Sequence, residues 1–129
     1  VILLDANVLI ALLDTCDALH RSSFDLLEHH EWDVFCTSAV TLTEVLVRPA
    51  GRGQDQVARR RLDEVGVKVL ALGSGTAATA SRLRASEAMS LPDATSLATA
   101  QQARAALATF DERLRRVAGR TGVDIARLP

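Results

Sequence analysis

The sequence predicts a single α/β domain over residues 1–129, with a mainly parallel central sheet of four to five strands flanked by helices. Three observations carry this expectation. Short apolar runs recur along the chain, and they are continuous rather than alternating, as in strands buried on both faces. The segments between them carry helical periodicity or cap residues. Strand and helix therefore alternate from end to end, which is the grammar of a parallel sheet with helical crossovers. A chain of 129 residues is one domain, large enough to bury a core without disulfide staples. It shows no internal repeat, low-complexity tract or linker.

Residues 1–5 read as the first strand, four apolar residues leading into Asp5. Asn7 to Leu13 forms a short helix. Asp17 is placed to cap a second helix running to about His30, with Leu19, Phe24 and Leu27 on its inner face. Asp33–Thr37 is the second strand. Ser38 caps a third helix from Ala39 to about Arg48, ended by Pro49 and Gly51. After a polar loop, a fourth helix spans roughly 55–65, with Ala58, Leu62 and Val65 at helical spacing, and Gly66 terminates it. Val67–Ala71 is the third strand. Ser74 or Thr76 starts a fifth helix to about Met89, Leu91-Pro92 breaks the chain, and Asp93 opens a sixth helix to about Arg104. Ala106–Phe110 is the fourth strand, ending at Asp111. Glu112–Ala118 is a short basic helix before Gly119, and Val123–Ala126 is a last short strand.

Composition narrows the function classes. A net charge of -1 leaves no global basic field for nucleic acid, so any such contact must be local. Local clusters exist at Arg59–Arg61 and at Arg113, Arg115, Arg116 and Arg120. Runs of this kind are usually solvated faces; the second lies just after Asp111, where contact with nucleic-acid phosphates is reasonable. With one Trp, three Phe and no Tyr, a base-stacking platform is not expected. Cys16 and Cys36 lack metal-ligand spacing and read as free thiols of a reducing compartment, hence a cytoplasmic protein. No stretch has the length of a membrane span, and the opening run has no basic n-region for a signal peptide. His20, His29 and His30 read as surface or boundary residues. Gly73-Ser-Gly75 is too short for a phosphate loop.

Four acids carry the functional reading. Asp5 and Asp111 each end a parallel strand, where such sheets place their chemistry, although helix capping explains either one equally well. Glu44 is embedded in Val40-Thr-Leu-Thr-Glu-Val-Leu-Val47; Val40, Thr43 and Val47 share its face, which favours an inward acid over a solvated one. Asp93 follows Pro92 and is, taken alone, a helix cap. Together the four can reach the same edge of the sheet. Four carboxylates in one cleft repel unless cations compensate, and hard divalent ions such as Mg²⁺ or Mn²⁺ suit an all-oxygen cluster. Such a site does phosphoryl chemistry.

The motifs Leu-Leu-Asp5-Ala-Asn7-Val-Leu, Thr-Ser38-Ala-Val-Thr-Leu-Thr-Glu44-Val-Leu, Leu-Pro-Asp93-Ala and Thr109-Phe-Asp111 stand in this order over nearly the whole chain. In that set the sequence resembles the PIN domains, specifically the VapC-type toxin ribonucleases of type II toxin–antitoxin pairs. The resemblance implies a metal-dependent endoribonuclease with Asp5, Glu44, Asp93 and Asp111 as its acidic quartet, holding one or two Mg²⁺ or Mn²⁺ ions. It implies supporting hydrogen bonds from Asn7 and Thr109, and from Ser38. It also implies an RNA substrate, a homodimer and a small antitoxin that occludes the cleft. The quartet shows no departure from the family pattern.

Two other functions compete. One is a different α/β phosphoryl-transfer enzyme; a haloacid-type phosphatase needs DxD where Asn7 takes the third place, and a receiver needs paired early acids and a late Lys, whereas Lys68 is mid-chain. The other is a non-catalytic module binding RNA or a partner, against which the intact quartet argues.

Overall fold

The central sheet consists of β1 (Ile2–Leu4), β2 (Phe35–Ser38), β3 (Lys68–Leu70) and β4 (Ala106–Ala108), all parallel, in the spatial order β3-β2-β1-β4. The computed structural model describes residues 1–129. Leu3 stands beside Cys36 on one side and Leu107 on the other. The chain builds outward from β1 through β2 to β3, then crosses to the opposite side of β1 for β4. The strand order therefore reverses between β1 and β4, and the crevice beyond their carboxyl ends is where an open parallel sheet binds ligands. The expected last strand shrinks to a single parallel bridge between Leu107 and Ile125, flanked by Leu107 N–H to Asp124 O at 2.8 Å and Ala126 N–H to Leu107 O at 2.8 Å.

Seven helices cover the sheet: α1 (Ala6–Leu13), α2 (His20–His29), α3 (Ala39–Gly51), α4 (Asp55–Val65), α5 (Ser74–Ser86), α6 (Leu91–Ala103) and α7 (Glu112–Arg120). Strand side chains alternate between two apolar layers, as the period of two requires. Ile2, Leu4 and Phe35 pack with Val8, Leu9, Leu26, Val45 and Leu62 from α1 to α4. Leu3, Cys36 and Leu107 pack with Leu97 and Ala100 of α6 and Leu114 and Val117 of α7. Every residue of α6 from Ala94 to Ala100 is buried, because α6 lies between the sheet and α5. Its small side chains let α5 approach at Ala80, against Ala94 and Ala98.

Several boundaries differ from expectation for local reasons. Asp17 does not cap α2: its carboxylate accepts from Leu19 N–H at 2.8 Å in the preceding turn, and α2 begins at His20. The inner stripe of α2 is Ser23 and Leu26, with Leu27 partly buried, so Leu19 and Phe24 are exposed. Phe24 instead meets the His20 ring edge-on at 5.1 Å. Pro49 does not end α3, which continues to Gly51, because in the last turn its missing N–H removes only one intrahelical bond. On α4, Ala58 and Leu62 are buried while Val65 is exposed. Gly66 ends α4 with φ of +86°, a left-handed backbone that favours glycine. Leu91-Pro92 does not break the chain but lies in the first turn of α6, where a proline forfeits a donor with no intrahelical partner. The true cap is Ser90, whose hydroxyl accepts from Asp93 N–H at 3.2 Å. Helix α7 runs past Gly119 to Arg120. Both cysteines are free thiols, Cys16 exposed and Cys36 buried, and no helix is long and apolar enough to cross a membrane.

Candidate acidic site

Asp5 is held by the strand that precedes it. Its N–H bonds to Ala108 O at 3.0 Å, tying it to β4 across the point of reversal. It occupies the N-cap position of α1, yet its carboxyl makes no capping bond; only its backbone carbonyl serves Val8 and Leu9. Asp5 is 6% exposed, and its carboxyl turns to two hydroxyls: Thr109 Oγ1 donates to Oδ2 at 2.9 Å and Ser96 Oγ to Oδ1 at 3.4 Å. Burial pushes its pKa above the ordinary value. The Thr109 bond and the Ala6 N–H oppose that, the nearby charge of Asp93 adds to it, and Ser96 again opposes.

Thr109 is fully buried, and its one hydroxyl is used to capacity. While donating to Asp5, it accepts from Asn7 Nδ2 at 3.0 Å and from Asp111 N–H at 3.1 Å. Asn7 closes the circuit, its Oδ1 accepting from Phe110 N–H at 3.2 Å. Ser38 acts one step removed. It caps α3 by accepting from Thr41 N–H at 3.0 Å and donates to Thr41 Oγ1 at 2.9 Å; Thr41 Oγ1 lies 3.2 Å from Ser96 Oγ. Thr41 and Ser96 thus complete a buried relay that the sequence reading missed. Ser96 carried a usable signal, since it follows Asp93 by three residues and shares its helix face.

The other three acids surround this centre. Glu44 sits on α3, and the reason for expecting it inward is corrected: Thr43 and Val47 on its face are exposed, and so is Glu44 itself. It nonetheless belongs to the same electrostatic neighbourhood. Its pKa is raised by partial desolvation, then by the charges of Asp5 and Asp93. Asp93, half-buried in the first turn of α6, is raised by desolvation; the Ser90 hydroxyl pulls it back, Asp111 pushes it up and Arg113 pulls it down. Ser90, not Asp93, caps the helix. Asp111 does cap α7, its Oδ1 accepting from Arg113 N–H at 2.9 Å and Leu114 N–H at 3.2 Å, which leaves Oδ2 free.

Of Arg113, Arg115 and Arg116, only Arg113 lines the cleft that contains Asp93 and Asp111, and its guanidinium donates to Ala88 O. Arg115 reaches back to Thr109 O at 3.5 Å, and Arg116 is exposed away from the cleft. The donor set suits a hard divalent ion: every group is a carboxylate oxygen, and the charge of Asp93 raises Asp5, those of Asp5 and Asp93 raise Glu44, and that of Asp111 raises Asp93, which a cation would relieve. As the side chains stand, no three of them converge on one point tightly enough to hold an ion.

A family model described as PIN domain matches residues 2–120. No protein in the curated comparison matches by sequence. Among solved structures, a toxin–antitoxin complex from Klebsiella pneumoniae is 29% identical with a TM-score of 0.79, covering 100% of both chains. Mycobacterium tuberculosis VapC20, described as a sarcin-ricin loop cleaving toxin, is 20% identical at a TM-score of 0.79, again over 100% of both chains. Rickettsia felis VapBC2, bound to a DNA fragment from its promoter, is 13% identical at a TM-score of 0.77, covering 99% of this chain and 98% of that one.

Proposed function

The chain belongs to the PIN domain family, and on that premise we propose that it is a divalent-metal-dependent endoribonuclease, the toxin of a toxin–antitoxin pair. The observation that carries this reading is Asp5. It is a buried carboxylate at the reversal point of the sheet that makes no helix cap and is held by two hydroxyls, with Asp93 and Glu44 in electrostatic reach.

Asp5, Asp93 and Asp111, with Glu44 directly or through water, would hold one or two Mg²⁺ or Mn²⁺ ions. The chemistry such an ion supplies is polarisation of a phosphodiester and activation of water. The chain's own groups do the rest. Thr109 and Asn7 fix the Asp5 carboxyl, and the Ser38–Thr41–Ser96 relay fixes its other oxygen. Arg113, which lines the cleft and offsets the charge of Asp93, would meet a phosphate of the substrate. No side-chain nucleophile is required. The Klebsiella neighbour is a toxin–antitoxin complex and VapC20 a toxin that cleaves the sarcin-ricin loop, which supports an antitoxin partner and RNA as the substrate here. We take the working form to be a cytoplasmic homodimer.

The test is RNA cleavage by the purified chain with Mg²⁺ and with EDTA. Cleavage in Mg²⁺ alone supports the reading. Cleavage that survives EDTA refutes the metal, and binding without cleavage in either condition supports a non-catalytic module.

A further inference from the structure

The acids lie between two clefts. On one side Asp93 and Asp111 open into the cleft lined by Arg84 and Arg113. On the other, Glu44 opens into a groove between α1, α3 and α4, whose floor includes Ile10, Leu13 and Val57 and whose rim carries Arg48, Arg52 and Arg61. Glu44 joins the two: it lines the groove and lies three residues along α3 from Thr41, whose hydroxyl is 3.2 Å from the Ser96 hydroxyl that donates to Asp5. None of the three rim arginines is in an ion pair; the chain's ion pairs involve Arg21, His30 and Arg120. The run Arg59-Arg60-Arg61, expected to be a solvated face, thus divides: Arg61 faces the groove, while Arg59 and Arg60 do not line it.

We propose that the α3–α4 groove holds the RNA on one side of the cleaved bond, with Arg48, Arg52 and Arg61 on its backbone phosphates. This rests on the ribonuclease reading and adds to it the residues that grip the substrate's flank. The physical need is specific. A polyanion approaching clustered carboxylates is repelled, and a net charge of -1 gives no global attraction to offset this. The cationic contacts must therefore sit in clefts that run directly off the acids. Unpaired arginines are available to phosphate without breaking an ion pair, and their flat guanidinium groups also stack on unpaired bases, in a groove whose floor has no aromatic ring. The Arg84 and Arg113 cleft would take the other flank, so the two clefts read opposite ends of the strand.

The experiment compares cleavage of a single-stranded RNA extended on both sides of the cut with versions truncated on the 5′ or the 3′ side, using wild type and R48Q/R52Q/R61Q. Wild type is expected to have a lower KM on the extended RNA than on the version lacking one particular flank. The triple variant loses that preference for that flank alone. Binding of extended RNA by the Asp5→Asn protein should show a salt dependence whose log–log slope falls by about 2 when the three arginines are removed, at about 0.7 per phosphate contact on a single strand. R59Q/R60Q, with charge removed from the same helix but outside the groove, should keep the flank preference. Loss of preference for both flanks equally, or the same loss in R59Q/R60Q, overturns the proposal in favour of diffuse charge. An unchanged KM and salt slope in the triple variant also overturns it and leaves the groove to a protein partner. Absence of any cleavage by wild type would instead be a failure of the ribonuclease reading, which the binding measurement on Asp5→Asn separates from failure of the groove.

Discussion

Replacing Thr109 by valine removes one hydroxyl while keeping the shape of a fully buried side chain. That hydroxyl donates to Asp5 at 2.9 Å and accepts from Asn7 at 3.0 Å and from Asp111 N–H at 3.1 Å. A hydrogen bond to a charged group is worth about 1.5–3 kcal/mol, and the two orphaned donors add to the loss to the extent that water cannot reach them. A destabilisation of about 3 kcal/mol is expected at neutral pH. With an unfolding entropy of about 2.1 cal/mol/K per residue over 129 residues, that is a fall in Tm of roughly 11 °C. Thr109→Ser keeps the hydroxyl and should lose only about 1 kcal/mol, for one methyl group. The pH dependence gives a second check. The Thr109 bond lowers the pKa of Asp5 against burial, so the valine variant has the higher folded value. The gap in stability between wild type and Thr109→Val is therefore widest at neutral pH and narrows as pH falls through the folded pKa of Asp5. Thermal unfolding across pH measures both. A valine variant as stable as wild type at neutral pH, or a gap that widens in acid, would show that this hydroxyl does not hold the carboxylate.

Other outcomes follow from the same geometry. Asp5, Glu44 and Asp93 are all raised from ordinary values of 3.8, 4.5 and 3.8, so the folded state binds more protons than the unfolded one just above those values. The metal-free protein should then be more stable near about pH 5 than near about pH 7.5 in calorimetry, losing stability as pH rises through the folded values. At neutral pH, Mg²⁺ or Mn²⁺ at a hundred times its Kd should add about 2.7 kcal/mol, seen as a higher Tm, and no shift at millimolar metal would count against the site. Ser90→Ala removes the cap of α6 and should cost about 1 kcal/mol in denaturant unfolding. Arg104 ends α6 with φ of +52°, so Arg104→Gly should raise stability by about 0.5–1 kcal/mol, and a loss would show that its side chain matters more than its backbone.

The sequence made the sheet legible because its strands are buried on both faces and read as continuous apolar runs. For each acid taken alone, it leaves capping and chemistry even at Asp5 and Asp111 and favours capping at Asp93, because the same residue type does both. The structure separates them: Ser90 takes the cap at α6, Asp5 makes none, and Asp111 caps with one oxygen and keeps the other. Periodicity places Glu44 inward, yet Thr43 and Val47 on its face are exposed; its relation to Asp5 is a matter of long-range position that periodicity does not encode. Thr41 and Ser96 went unseen because a buried hydroxyl is visible only through the partner it meets, here 55 residues away. The same holds for Arg61, whose two neighbours in sequence do not share its groove.

The central claim is that Asp5 is required for RNA cleavage rather than for folding. Mapping cleavage sites on total RNA after expression of the wild type and of Asp5→Asn tests it directly, with thermal unfolding of both proteins alongside. New RNA ends at defined positions with wild type, and none with a folded Asp5→Asn, are the expected result. Metal-dependent cleavage at the same positions by the Asp5→Asn protein would contradict it.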